Sequence, residues 1–386
     1  MNIRPLHRLT SPVKITSVLC GLFAATLAPA VLTAMEVPYD YYVPCTPENA
    51  IFGYFSPTKK PVVTIKSGAV VRIDGGGGNK WGDTDDPNVW LKENGVPITV
   101  ETSKALSEIV KAVNESPNRL PPAPGSKPGA KTAGHFLIGP IYVEDAEPGD
   151  SLEVRILDVT PRLPYGANGG RPGGGTLPDL VPRPYTKVYN LDLKRNAAVF
   201  NENIEVPLAP FNGVNGTCPP DSEGPNRTSG RPGVFGGNLD SKDLTTGSTL
   251  YLPVFQKGAL FYTGDCHAAQ GDGEIAGDAI GTANTCTYQF ILHKGKTLKG
   301  PRAENAGNYI FYGLDPDLDK AMRFALIESL DFLKEKEGMD FLPAYSLASA
   351  AIDFHVTQTV DKTLGIHGMI SKKLFVNDTN TYWYRP

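Results

Sequence analysis

Residues 61–74, PVVTIKSGAVVRID, alternate apolar and polar side chains on both sides of Ser67-Gly68. Val63 and Ile65 share one face, Val70–Ile73 resumes beyond the turn, and the pattern predicts a β-hairpin. Residues 140–159 repeat the theme, with two β-rich runs flanking Glu147-Pro148-Gly149-Asp150. Further short β runs are predicted at 186–192, 197–206, 248–255, 258–263 and 284–293, between Gly/Pro/Asn loops such as 161–182 and 211–239. Many short strands with frequent turns predict a β-sandwich or barrel. Helical spacing occurs in three places. In 101–114, Ala105, Ile109, Val110 and Val113 share a face, with Thr102 as the expected N-cap. In 316–337, Leu318, Met322, Ala325, Leu326 and Leu333 recur before Gly338, the expected stop. Residues 341–353 are apolar enough to predict a buried helix.

The amino end follows a different pattern. Arg4, Arg8 and Lys14 precede an apolar run from Ile15 to Leu27, which ends in Ala28-Pro29-Ala30. This is the layout of a secretory signal peptide, and the run is too short to span a bilayer. Residues 1–30 are therefore expected to be removed near Ala30 or Ala34, leaving 31–386 as a secreted or periplasmic protein with no stable membrane insertion. Its helical part is expected from about residue 316.

Composition narrows the reading. The 386 residues include 41 Gly and 34 Pro, which suits a loop-rich β protein, and the net charge of −4 offers no footprint for nucleic acid. Four cysteines remain without Cys20: Cys45, Cys218, Cys266 and Cys286. Their spacing fits no zinc ribbon, and a Cys45–Cys218 disulfide competes with four free thiols.

The chemistry concentrates in residues 264–278, GDCHAAQGDGEIAGD. On a strand, Asp265 and His267 point to one face and Cys266 to the other. That opposition weakens Cys266 as a nucleophile for His267. Gln270, Asp272, Glu274 and Asp278 follow. Such groups are costly to bury unless paired or bound to metal. The Asp-x-His pair suits zinc, whereas the oxygen-rich remainder suits calcium. Asn238 and Asp240 in GGNLDSKD, and Glu144 at the end of GPIYVE, are further polar residues able to enter a pocket. There is no GxSxG elbow, HExxH motif or Walker loop.

GDCHAAQGDGE resembles the signature of the acetamidase/formamidase family, GD-x-HAAQGDGE. The resemblance extends to GYFSPTKKPVVTIKSGAVVRID (53–74), GHFLIGPIYVEDAEPGDSLEVRILDV (134–159), PYGANGGRPGGGTLPD (164–179), GGNLDSKDL (236–244), GSTLYLPV (247–254) and PRAENAGNYIFYGLDPDLDKA (301–321). It implies a jelly-roll β-sandwich with added helices, a divalent metal, and hydrolysis of short linear amides to a carboxylic acid and ammonia. The chain departs from the family at Asp145, where a glycine is usual, in the long Cys218-bearing loop 211–233, and in its leader.

On this reading Asp265, His267 and Asp240 are the metal ligands, with zinc favoured over calcium. Glu274 or Glu144 is the general base. Gln270 and Asn238 hold the amide. The expected partner is a small amide, and a homo-oligomer is compatible with the sequence. The alternative is a non-catalytic, calcium-stabilised β-sandwich that binds ligands through its loops. That alternative leaves the histidine between the acids unexplained.

Overall fold

The computed structural model describes residues 37–78, 86–97, 99–121, 134–224 and 227–377. The expected leader, residues 1–30, lies outside them. The described residues form one compact unit. It is mainly β with four helices among the described residues: α1 (Pro87–Glu93), α2 (Val100–Glu115), α3 (Leu318–Glu337) and α4 (Phe341–Ala351).

Two large sheets enclose the core. One has nine strands, running from Tyr41–Val43 through Val70–Asp74, Asn284–His293, Ser151–Pro161 and Thr249–Pro253 to the C-terminal pair Leu364–Ser371 and Ile352–Gln358. The other has seven, with Gly236–Asn238, Phe211–Gly216, Phe261–His267 and Phe136–Val143 side by side. Alternating side chains of both meet between them. Val71, Leu152 and Val154 from the first sheet share a core with Ile138, Ile141 and Phe261 from the second. Phe261 meets Phe290 edge-on at 5.1 Å.

The 61–74 segment is not a hairpin. Val63–Ile65 pairs in parallel with residues 141–143 in the seven-stranded sheet. Val70–Asp74 pairs with Asn284–His293 in the nine-stranded one. Ser67-Gly68 therefore turns a corner between layers. A period of two identifies a half-buried strand but not its partner. Residues 147–150 make a second corner, where the Asp150 carboxylate accepts from the Glu147 and Gly295 amides, both at 2.8 Å. Asp145, beside that corner, has φ 62°, the conformation a glycine takes freely.

Helix α2 starts at Val100, so Thr102 lies inside it rather than capping it; Ala105, Leu106, Ile109 and Ala112 are its buried face. Asp317 caps α3 by accepting from the Asp319 and Lys320 amides, and Gly338 closes it in the left-handed conformation. Helix α4 corrects the expectation of a buried helix. Only Ala344 and Ala348 are buried, while Phe341, Leu342 and Tyr345 are exposed. Its small residues form the packing face, which a count of apolar positions does not separate from the aromatic one. The four cysteines are free and buried, so the Cys45–Cys218 pairing is not formed. The two lie in different apolar clusters.

Candidate active site

Strand Phe211–Gly216 lies between Gly236–Asn238 and Phe261–His267 and sets the site. Phe211 is opposite His267, and Gly213 falls between the pairs Asn212–Cys266 and Val214–Gly264, opposite Asp265. On the other edge Val214 pairs with Asn238, and the Asp240 amide donates to the Gly213 carbonyl at 3.2 Å. Gly213 thus stands between two carboxylates and an imidazole. A Cβ there would fall 2.2 Å from Asp240 Oδ1, 2.7 Å from Asp265 Oδ2 and 2.9 Å from His267 Cε1. The missing side chain makes the space into which the three converge.

Glu274 joins from the loop that follows. Its carboxylate lies within 4.8 Å of ligand atoms of Asp240 and His267, and all three residues are buried. The loop is closed by the Gly277 amide on the Glu274 carbonyl, and is tied to the C-terminal sheet by the Gly273 amide on the Thr357 carbonyl. Asp240, Asp265 and Glu274 have φ of 47°, 54° and 43°. Each costs about 1–2 kcal/mol against the right-handed region. Three such residues around one space mark a backbone bent to aim carboxylates.

The electrostatics show a surplus of negative charge. Burial raises Asp240 well above the usual carboxylate range, and Glu274, Asp361 and Asp265 push it further. Burial raises Glu274 to about 8, opposed by His267. For His267 burial works downward, but the charge and hydrogen bond of Asp265, with Glu274 and Asp278, outweigh it and raise the imidazole to about 9. Asp265 Oδ2 is 3.3 Å from His267 Nε2.

Among the buried atoms with no hydrogen-bond partner in the described residues are Asn238 Oδ1, Asp240 Oδ1, His267 Nδ1, Gln270 Oε1 and Asp361 Oδ2. Unmet buried polar atoms are rare. Here they are oxygens and an imidazole nitrogen on and around the Asp240–His267 pair, donors of the kind a divalent cation and a polar ligand take.

The sequence-nominated residues thus divide. Asp240, Asp265, His267 and Glu274 come together, and Asn238 is buried beside Asp240. Gln270 Nε2 donates to the Asp240 carbonyl at 2.7 Å, leaving its Oε1 unmet. Glu144 does not join. Strand Phe136–Val143 runs antiparallel to Phe261–His267, with Leu137 opposite Gly264 and Ile141 opposite Phe261. Glu144 therefore lies beyond the end remote from Asp265, with its amide on the Ile65 carbonyl. Cys266 faces inward, and burial pushes its thiol well up, so it is no thiolate nucleophile.

Sequence reading missed Asp361 and His135. The Asp361 carboxyl, raised by burial, interacts with Asp240 and Asn238. His135 Nε2 is 3.9 Å from Asp265 Oδ2. Neither belongs to a local motif, although His135 opens the GHFLIG stretch leading into a core strand.

Buried carboxylates, one imidazole and unmet amide oxygens around a polar space define a hydrolytic centre on a β-sandwich. Residues 127–223 and 222–370 match the Acetamidase/Formamidase family. The chain is 33% identical over 302 residues to the formamidase of Methylophilus methylotrophus, covering 60% of this chain and 74% of that enzyme. It is 31% identical over 199 residues to the acetamidase of Mycolicibacterium smegmatis, covering 36% of this chain and 49% of that enzyme. The solved structure of an acetamidase from Bacillus halodurans superposes with a TM-score of 0.69 at 27% identity, over 88% of this chain and all of that one. The chain belongs to the acetamidase/formamidase family and is an amidase.

Proposed function

We propose that the protein is a secreted, metal-dependent amidohydrolase that cleaves the C–N bond of short linear amides, of the formamide or acetamide type, to a carboxylic acid and ammonia. The convergence of Asp240, Asp265 and His267 over Gly213, with Glu274 beside them, carries this reading. Those three residues would hold a divalent cation of the zinc type, which supplies Lewis acidity toward the amide oxygen and a more acidic water.

The protein's own groups do the rest. Gln270 Oε1 and Asn238 Oδ1 are unmet acceptors, matched to the two N–H donors of a primary amide. Glu274 is the proton carrier: its carboxylate takes a proton from the attacking water and delivers it to the departing nitrogen. Its side chain is buried, so bulk water does not compete for the proton. Asp265 holds the His267 ring through Nε2. Ammonia release from formamide, acetamide and propionamide tests the reading, and absence of release from all three contradicts it.

Export rests on the charged start, the apolar run and Ala28-Pro29-Ala30. N-terminal sequencing of the native protein is expected to begin between Val31 and Met35. A native chain beginning at Met1 would exclude cleavage. No described helix is long and apolar enough to cross a membrane.

A further inference from the structure

The C-terminal strands carry a second cluster of ligating side chains. Ile352–Gln358 and Leu364–Ser371 run antiparallel with His355 opposite His367. Their rings stack with centroids 5.2 Å apart and planes 11° from parallel. On the next strand Tyr312 is opposite His367, and its hydroxyl donates to Ser241 Oγ at 3.0 Å. That bond holds the 240–243 turn against the two histidines. Asp243, from the turn, places Oδ2 3.3 Å from His367 Nε2. Neither atom has a hydrogen-bond partner among the described residues. Asp272, from the Glu274 loop, places Oδ2 3.2 Å from His355 Nδ1 and 3.0 Å from Lys242 Nζ. Ligand atoms of Asp272, His355 and His367 lie within 4.8 Å of one another.

His367 is only 1% exposed. Its Nδ1 is 2.8 Å from Thr357 Oγ1. When Nδ1–H donates to that hydroxyl, the lone pair stands on Nε2, beside Asp243. This is how a hydrogen bond on one ring nitrogen prepares the other for a metal. A cation entering beside the buried Nε2 would also meet the Asp243 carboxylate.

We propose that Asp272, His355 and His367, with Asp243 beside His367, form a second metal site, for a transition dication of the zinc class. Two imidazole nitrogens and the Asp272 carboxylate make a three-ligand set of a kind zinc takes, and Asp243 stands beside His367 Nε2 as a further oxygen donor. Calcium and magnesium prefer oxygen alone. Lys242, whose side chain is 37% exposed, is the present counter-charge to Asp272 and would swing to solvent as the cation enters. The site stands apart from the Asp240–His267–Glu274 cluster but shares its two supporting segments. The 240–243 turn gives Asp240 to one and Asp243 to the other; the 272–274 segment gives Glu274 to one and Asp272 to the other. An ion held here would therefore tie both catalytic segments to the C-terminal sheet. The proposal does not rest on the amide assignment.

The test is zinc stoichiometry and affinity of the full chain, stripped of metal and titrated with zinc alone. It is run on wild type, His355→Gln, Asp272→Asn, His267→Ala, and His267→Ala combined with each of the other two. The histidine exchanged is His355, whose side chain is 37% exposed, so that the fold survives. One zinc equivalent should persist in His267→Ala. In that background either substitution at the second cluster should weaken its binding by at least about 10²-fold, the upper end of what outer-shell changes cost. Cobalt in place of zinc should give visible absorption in His267→Ala that His355→Gln abolishes. If wild type binds one equivalent, lost in His355→Gln but not in His267→Ala, this site stands and the metal assignment of the catalytic cluster falls. If stripped wild type binds no zinc, or neither second-cluster substitution changes its binding, the second site is overturned.

Discussion

Glu274→Gln is expected to lower kcat by at least about 10²-fold while the fold and the cation at Asp240, Asp265 and His267 are retained. Glutamine keeps the size and hydrogen-bonding reach of glutamate but cannot accept a proton. The side chain is 8% exposed, so solvent cannot easily substitute for it. Burial raises its pKa to about 8, unlike an ordinary surface glutamate. Glu144→Gln is the control. Glu144 lies beyond the remote end of its strand, and the variant should keep the wild-type rate. A near wild-type rate for Glu274→Gln would move proton transfer elsewhere, with Asp361 the next buried carboxyl to examine.

Gly213→Ala adds one methyl group and is expected to cost at least about 10²-fold in kcat/KM. Gly213 has no positive φ, so alanine meets no backbone penalty there. The loss should come from the added Cβ, which would lie 2.2 Å from Asp240 Oδ1 and 2.7 Å from Asp265 Oδ2. Both carboxylates must move aside, and a displacement of about 1 Å in such a site is enough for a loss of this size. Circular dichroism should show the native β spectrum, and zinc affinity should fall along with the rate. A variant that keeps both rate and affinity would show that the space over Gly213 is not the reacting site.

Local order explains what the sequence made legible. Helix α3 is bounded by Asp317 and Gly338, whose cap chemistry is written in single residues. Asp265 and His267 share a face because strand geometry alternates, and that needs no knowledge of the partner strand. Partners are where local reading stops. Val63–Ile65 and Val70–Asp74 look like a hairpin until each finds a better neighbour in a different sheet. Asp361 reaches Asp240 only through the topology of the last two strands. The pairing of His355 with His367 depends on a register that no spacing announces. Gly213 was silent as well, because its role is the absence of a side chain between residues distant in sequence.

The most direct test of the account is ammonia release from formamide and acetamide by protein stripped of metal and then reloaded with zinc in steps. The stripped protein is expected to be inactive, and the rate to return with occupancy of the His267 site. His267→Ala should regain neither that cation nor the rate. A stripped protein that hydrolyses either amide at the full rate would contradict it.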